Sequence, residues 1–404
     1  TPLYSSAASD VYKRQTSDYI NYRAVSREKY AILQKIFSYF HENELAKNST
    51  RAQKFLTFKQ CHSHWQLSDY EYYLQWQCAE QLAQCQQLCR EMSMKIGLVL
   101  DLAVGCAPDG EEYHRNSTLY AKDTSVGAPP DLVAVNGQNW GLPAINPVQL
   151  KENNFDYFIE LVRQNMKNCG GLRIDHVMGL MRLWWCVQFQ NEQHGCYVYY
   201  PRDELLAIIK LESQRNQCLI IGEDLGVVPA EMHQLMAKSD IFANDIFYFE
   251  KYDNGQFKQL ADFRHRAMLM IANHDVAPFN AWWQGNDLVL KSQFGLFDSA
   301  EQLATESQLR AQDKQALLIW LGENAWLADK NVLSSEELNV SDNKSEHIAK
   351  YIYQALVNEL AKCPSQLLCL QVDDLEGNDT PVNIPGTDNE YPNWRRRLSQ
   401  PLTE

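Results

Sequence analysis

Asp101, Asp175, Glu223 and Asp275 each stand at or just past the C-terminal end of a short apolar run. In a parallel sheet that end is the rim where barrel enzymes place their chemistry, so four runs delivering an acid to one rim points to carboxylate catalysis. Any one of these acids has a plainer use, capping a helix or ending a strand in solvent. Their recurrence argues for a site. Arg173 and His176 flank Asp175, Asp224 follows Glu223, and His274 precedes Asp275. Alternation along a strand sets Arg173 and Asp175 on one side, where a guanidinium keeps its carboxylate ionised. The run Leu219, Ile220 and Ile221 leads Glu223 into drier surroundings, which raise a carboxyl's pKa.

These environments separate two roles in glycosidic bond chemistry. An ionised Asp175 can attack an anomeric carbon while Glu223 protonates the leaving oxygen, with the two carboxyls about 5 Å apart in a retaining displacement. Asp275 is available to hydrogen-bond sugar hydroxyls, contacts that strengthen as the ring flattens toward the transition state. Trp140, in the Gly-rich segment GQNWG (137–141), is expected to present an open face on which a sugar can stack. Trp184, Trp185, Trp282, Trp283, Tyr391 and Trp394 are read mostly as core residues.

The elements that must position these groups alternate from residue 96 onward. Strands are expected at 96–101, 171–175, 218–223, 245–250, 268–272 and 366–371, with helical patterns such as 150–167 and 203–215 between them. This is the pattern of an α/β chain of the (β/α)8 TIM-barrel type, two strands short of closure. Residues 16–95 read as helices, because Ala31, Ile32, Ile36 and Phe37 repeat at helical spacing. The first two βα units are therefore expected to be absent, which leaves an open sheet edge and predicts instability. The stretch between Asp101 and Gln149 reads as one long functional loop, and 279–362 as a helical insertion in a catalytic domain of 16–404. Residues 1–15 look foreign to the rest of the chain and are read as a leader of non-native origin.

With 37 Lys and Arg against 51 Asp and Glu, the net charge of −14 argues against nucleic acid as a partner. No apolar run approaches the roughly 20 residues of a bilayer span, and the start of the chain lacks an apolar signal core. The eleven cysteines are scattered without disulfide or zinc spacing, which suits a reducing cytoplasm. Cys85 and Cys89 have no histidine nearby to complete a metal set and read as ordinary helix residues.

The segments IGLVLDLAVG around Asp101, GAPPD (127–131), GQNWGLP (137–143), GLRIDHVMGLMRLWW (171–185), IIGEDLGVVP (220–229) and PVNIPGT (381–387) closely resemble those of the amylomaltases, or 4-α-glucanotransferases. The resemblance runs from about residue 18 to the C-terminus and implies a retaining transferase of α-1,4-glucan segments on an amylase-type barrel. By that likeness Asp175 is the nucleophile, Glu223 the general acid/base and Asp275 the transition-state stabiliser. Arg173 and His274 would grip the sugar at the cleavage point with Asp101 beneath it, while Asp131, Gln138, Trp140 and Asn383 would line neighbouring glucose sites. Malto-oligosaccharides, maltodextrin and glucose are the implied substrates, with no metal or organic cofactor. The chain departs from the family in having Asn273 before His274-Asp275, where Thr is usual, and Val276-Ala277-Pro278 after them. Three rival readings stand beside transfer: hydrolysis by the same acids, a metal site built from the acids with His176 and His274, and a fragment that binds glucan without turnover. A ladder of products from maltotriose would mark transfer, and loss of activity to a chelator would mark a metal.

Overall fold

A computed structural model describes residues 18–130, 137–189, 192–323 and 344–399; the leader read at 1–15 and the loop acid Asp131 lie outside these residues. The chain divides into two compact units. Of the described residues, one unit holds 18–54, Ile246–Phe263 and those from Leu269 onward; the other holds those within Phe55–Asp245 and Arg264–Met268.

The first described elements are helical, as the spacing of apolar residues predicts: α1 (Tyr22–Phe40), α2 (Thr50–Cys61) and α3 (Asp69–Glu91). Two of these helices have a clear local reason to start where they do. The Asn21 side chain accepts the Ala24 N–H at the head of α1, and α3 opens on a reciprocal pair in which Ser68 and Glu71 cap one another's backbone N–H. Cys85 and Cys89 lie along α3 as plain helix residues, and all eleven cysteines are free thiols.

Six strands form the main sheet: β1 (Val99–Leu102), β4 (Gly171–Ile174), β7 (Leu219–Gly222), β8 (Phe242–Ile246), β9 (Ala267–Met270) and β10 (Leu367–Cys369), in the order β1-β4-β7-β8-β9-β10. Pairing is parallel from Val99↔Gly171 to Leu102↔Ile174, from Gly171↔Leu219 to Ile174↔Gly222, and at Ile221↔Phe242. Parallel neighbours require crossovers, and helices supply them. Among these are α6 (Asp156–Met166), α7 (Arg202–Asn216) and α8 (Ala230–Lys238). Val162 and Met166 of α6, Leu205 and Ile209 of α7, and Met232 and Met236 of α8 join Leu172, Ile174 and Ile220 in one buried core. The fold is an incomplete TIM-type barrel with helical additions.

Two segments differ from the sequence expectation. Strand β8 starts three residues earlier than the expected 245–250 and ends at Ile246; Phe247–Phe249 is a turn of 3-10 helix. The apolar run FYF belongs to that turn, where Phe247 stacks on Phe257 at 4.5 Å. The strand instead carries the polar pair Asn244 and Asp245, both buried. The second difference is the expected long loop. It contains α4 (Glu111–Arg115), β2 (Tyr120–Ala128), β3 (Gln138–Ile145) and α5 (Pro147–Glu152). Strands β2 and β3 join the hairpin of β5 (Arg182–Phe189) and β6 (Glu192–Tyr199) in an antiparallel sheet ordered β3-β2-β5-β6. Glycine content suggested a loop, yet Gly127 is a strand residue packed so closely that a Cβ there would lie 1.9 Å from the Gln138 carbonyl oxygen.

Between β9 and β10 lie α9 (Phe279–Gln284), α10 (Asn286–Gln293), α11 (Ala300–Glu323) and α12 (Lys344–Leu360), with α13 (Val372–Glu376) following β10. In that unit Trp282 stacks on Tyr248 at 4.9 Å, and Phe279 meets Tyr353. Among the described residues no helix is long and apolar enough to cross a membrane.

Candidate active site

Strand pairing carries the acids to the rim. The Asp175 N–H donates to the Leu102 carbonyl at 3.0 Å and the Glu223 N–H to the Ile174 carbonyl at 2.9 Å, so the β-ladder holds the backbone of each acid. Asp101 pairs directly with Arg173 across β1 and β4. From that position Arg173 Nη1 donates to both oxygens of Asp101, at 2.8 and 2.9 Å, and to Asp175 Oδ1 at 3.1 Å. Arg173 is buried, whereas the side chains of Asp101 and Asp175 remain 53% and 38% exposed, so the acids face outward from a buried cation. Burial alone would weaken that cation's charge. The hydrogen bonds and charge of Asp101, with the charges of Asp175 and Glu223, reverse the effect and hold the guanidinium pKa above its ordinary value.

Glu223 has the opposite surroundings. It is buried, and burial is the main force raising its pKa, with the nearby Asp175 charge adding to it; the Leu225 and His176 N–H groups and the Arg173 charge pull the other way. Those N–H groups sit 2.8 Å from Oε1 and Oε2 respectively. His176 adopts a left-handed backbone, φ +47°, which is uncommon for a residue with a side chain. The pKa of its imidazole falls to about 4, because burial disfavours the charged ring. The ring meets Trp140 edge to face at 5.4 Å, and Trp140 Nε1 donates to Gln138 Oε1 at 3.0 Å. Trp140 is less open than its glycine flanks suggest. It leans on a small cluster of Val126, Ala144 and Leu183.

A second group lies in the other unit. Asp275 Oδ1 accepts from Asn383 Nδ2 at 3.2 Å, and His274 Nε2 is 3.2 Å from Asp275 Oδ2. Asn273 is buried and its Oδ1 accepts the Asp275 N–H at 3.0 Å, so the Asn that replaces the family's usual Thr forms a turn that fixes the following acid. The His274 ring lies 5.2 Å from Trp394, a residue read as core that is in fact half exposed. Trp282 and Trp283 are buried.

The structure thus brings Asp101, Arg173, Asp175 and Glu223 together, sets Trp140 against His176 with Gln138 bonded to the Trp140 indole, and groups His274, Asp275 and Asn383 separately. Sequence reasoning missed Asn244, whose Oδ1 accepts from Arg173 Nε at 3.3 Å. It also gave no role to Asp224, which the backbone N–H of Asn244 reaches at 3.1 Å. The available signal was a pair of polar residues inside the otherwise apolar stretch IFANDIF. Among the described residues no three His, Cys, Asp or Glu side chains converge as a metal site would require.

Comparison with known proteins bears on the family and the fold. The amylomaltase from Corynebacterium glutamicum superposes with a TM-score of 0.81 at 28% identity, covering 98% of this chain and 58% of its own. An amylomaltase from Streptococcus agalactiae, solved in complex with acarbose, shares the fold with a TM-score of 0.68 at 18% identity, covering 97% of this chain and 79% of that one. A 4-alpha-glucanotransferase from Haemophilus influenzae is 40% identical over 330 residues, 82% of this chain and 46% of the relative. The chain therefore spans about half the length of the curated relatives it matches. The profile of the 4-alpha-glucanotransferase family, glycoside hydrolase 77, matches residues 59–403, and the chain belongs to that family.

Proposed function

We propose that this chain carries the catalytic chemistry of a 4-α-glucanotransferase, moving a segment of α-1,4-glucan from a donor to the 4-hydroxyl of glucose or a malto-oligosaccharide. The observation that carries the reading is the contrast between two acids at the ends of neighbouring strands: Asp175, hydrogen-bonded to a buried guanidinium, and Glu223, desolvated and pushed toward the protonated form. In the first half-reaction the Asp175 carboxylate attacks C1 of the donor while Glu223 gives its proton to the glycosidic oxygen, and the reducing-end segment leaves. In the second, Glu223 takes the proton of the acceptor 4-hydroxyl as that oxygen displaces Asp175 from C1, restoring the α-configuration. Arg173 keeps Asp175 ionised and Asp101 shares that cation. Asp275, held by Asn383 and the Asn273 turn, takes the role of stabilising the oxocarbenium-like transition state, with His274 beside it. Trp140 and Gln138 supply a sugar-facing wall, and Asp131 belongs to the same proposal by its family match.

Eleven free cysteines support a reducing cytoplasm as the working compartment. Incubation of the chain with maltotriose tests the reading: glucose together with a ladder of longer oligosaccharides supports it. Glucose and maltose without elongation would replace transfer by hydrolysis. No turnover by a folded chain that binds maltodextrin would reduce the function to binding.

A further inference from the structure

Arg173 Nη1 faces two carboxylates at once, Asp101 and Asp175, on an arginine side chain with several rotatable bonds. Its direction must be fixed from the other edge of the guanidinium, at Nε. The group there is Asn244, 1% exposed, on β8. Its amide is oriented from both sides: Oδ1 accepts from Arg173 Nε at 3.3 Å, and Nδ2 donates to the Met268 carbonyl at 3.4 Å. Its backbone is fixed too, because the Asn244 N–H donates to Asp224 Oδ1 at 3.1 Å. Asp224 and its neighbour Asp245 are buried carboxylates, and the forked guanidinium of Arg264 hydrogen-bonds to both. His233 Nε2 lies 3.5 Å from Asp224 Oδ2. Two buried carboxylates without such a partner would be strongly destabilising, so Arg264 is what allows acids to sit behind the rim at all. A planar fork suits that task better than an ammonium.

We propose that Asn244, clamped through Asp224 by Arg264, is a positioning residue that fixes the plane of the Arg173 guanidinium and thereby aims Nη1 at Asp175. This rests on the reading of Asp175 as nucleophile for its catalytic consequence, but the clamp itself is a property of the folded chain. It is independent of glucan. The charged groups around Asp175 include Arg173 on its own strand, Asp101 on β1, which shares that guanidinium, and Glu223 past β7, with His176 next along the chain; Asn244 sets the geometry of the first.

The test has two arms on the full chain. In 15N-arginine-labelled protein the Arg173 Nε–H signal, assigned by its loss in Arg173→Lys, reports the clamp directly. Asn244→Ala is expected to speed its exchange with water at least tenfold, and Arg264→Lys to move it in the same direction by a smaller factor. If Asn244→Ala fails to fold, Arg264→Lys, altering a side chain already 38% exposed, carries the same comparison. Unchanged protection in the folded variants overturns the proposal. In the second arm, with maltotriose, Asn244→Ala should lower kcat about tenfold with KM within twofold, and move the acidic limb of kcat/KM upward by at least half a pH unit. A fall in kcat with an unmoved limb would mean that Asn244 serves only the fold. An inactive wild-type chain would overturn the proposed function, while the exchange arm would still decide the clamp.

Discussion

The backbone N–H of His176 donates to Glu223 Oε2 at 2.8 Å. The residue next to the proposed nucleophile therefore holds the proposed acid, and the two are set by one peptide rather than by two independent side chains. The left-handed φ of His176 accompanies this contact, and Val177 extends it by donating to the Glu223 carbonyl at 2.9 Å. Adjacent parallel strands, with Arg173 opposite Ile221 and Ile174 opposite Gly222, place both acids at the same level of the rim.

The division of labour between the two acids predicts distinct defects. With maltotriose, Asp175→Ala and Glu223→Ala should each lose at least about a thousandfold in kcat, because nucleophile and proton donor are both needed. An α-maltosyl fluoride donor needs no proton to expel its leaving group. Glu223→Ala should then form the glycosyl-enzyme and, with added azide, release the α-azide; Asp175→Ala should not form that intermediate. NMR assignment of the product anomer checks this, and an α-azide from Asp175→Ala would reverse the roles.

The raised pKa of Glu223 carries a sign for the pH profile. The acid works while protonated, so activity on maltotriose falls as pH rises through its pKa, and burial moves that fall above the ordinary glutamate range. The alkaline limb of kcat/KM should therefore weaken or vanish with the fluoride donor, whose first step requires no proton. Identical limbs with both donors, under conditions where the first step limits both rates, would assign the titration to another group.

How far this could be read beforehand depended on where each constraint lies. The Arg173–Asp175 contact follows from strand alternation alone, and the apolar runs announce the sheet strands other than β8 to within a few residues. Strand β8 was misplaced because its identity comes from Asn244 and Asp245, polar residues buried by partners distant in the chain. Local hydropathy cannot register a remote partner. Strands β2 and β3 were hidden for a related reason: Gly127 reads as a breaker until the close approach of Gln138 is known. Asn273, an apparent departure from the family, makes sense only through its bond to the Asp275 N–H.

The contact between Trp140 and His176 predicts that the antiparallel sheet is coupled to the rim. Trp140→Ala removes an edge-to-face pair and part of a small apolar cluster, a loss of about 1 kcal/mol in stability. Its larger effect should be on the acceptor. With maltotriose as donor, the ratio of free glucose units released by water to units transferred should rise several-fold, while Trp140→Phe keeps the ring contact and should stay near wild type. Reducing-sugar release measured against ladder growth decides this, and an unchanged ratio in Trp140→Ala would remove Trp140 from acceptor binding.

A buried acid outside both proposed groups contributes to the pH dependence of stability. Asp374, on α13, accepts the Phe279 N–H at 2.6 Å where α9 begins. Burial is the main cause of its pKa rising to about 7, with Asp373 adding to it and the Phe279 N–H opposing it. The neighbouring Asp373 is itself held by Arg396. A carboxyl with a folded pKa above its unfolded value of about 4 stabilises the fold fully below that unfolded value, and the contribution is lost as pH rises through about 7. Asp374→Asn keeps an oxygen for the Phe279 N–H but cannot ionise. Between about pH 5.5 and 8.5 the wild-type chain should therefore lose about 2 kcal/mol of unfolding free energy relative to Asp374→Asn. Urea unfolding of both proteins at the two pH values measures the difference; parallel behaviour would show that Asp374 titrates in the normal aspartate range and that another partner compensates its charge.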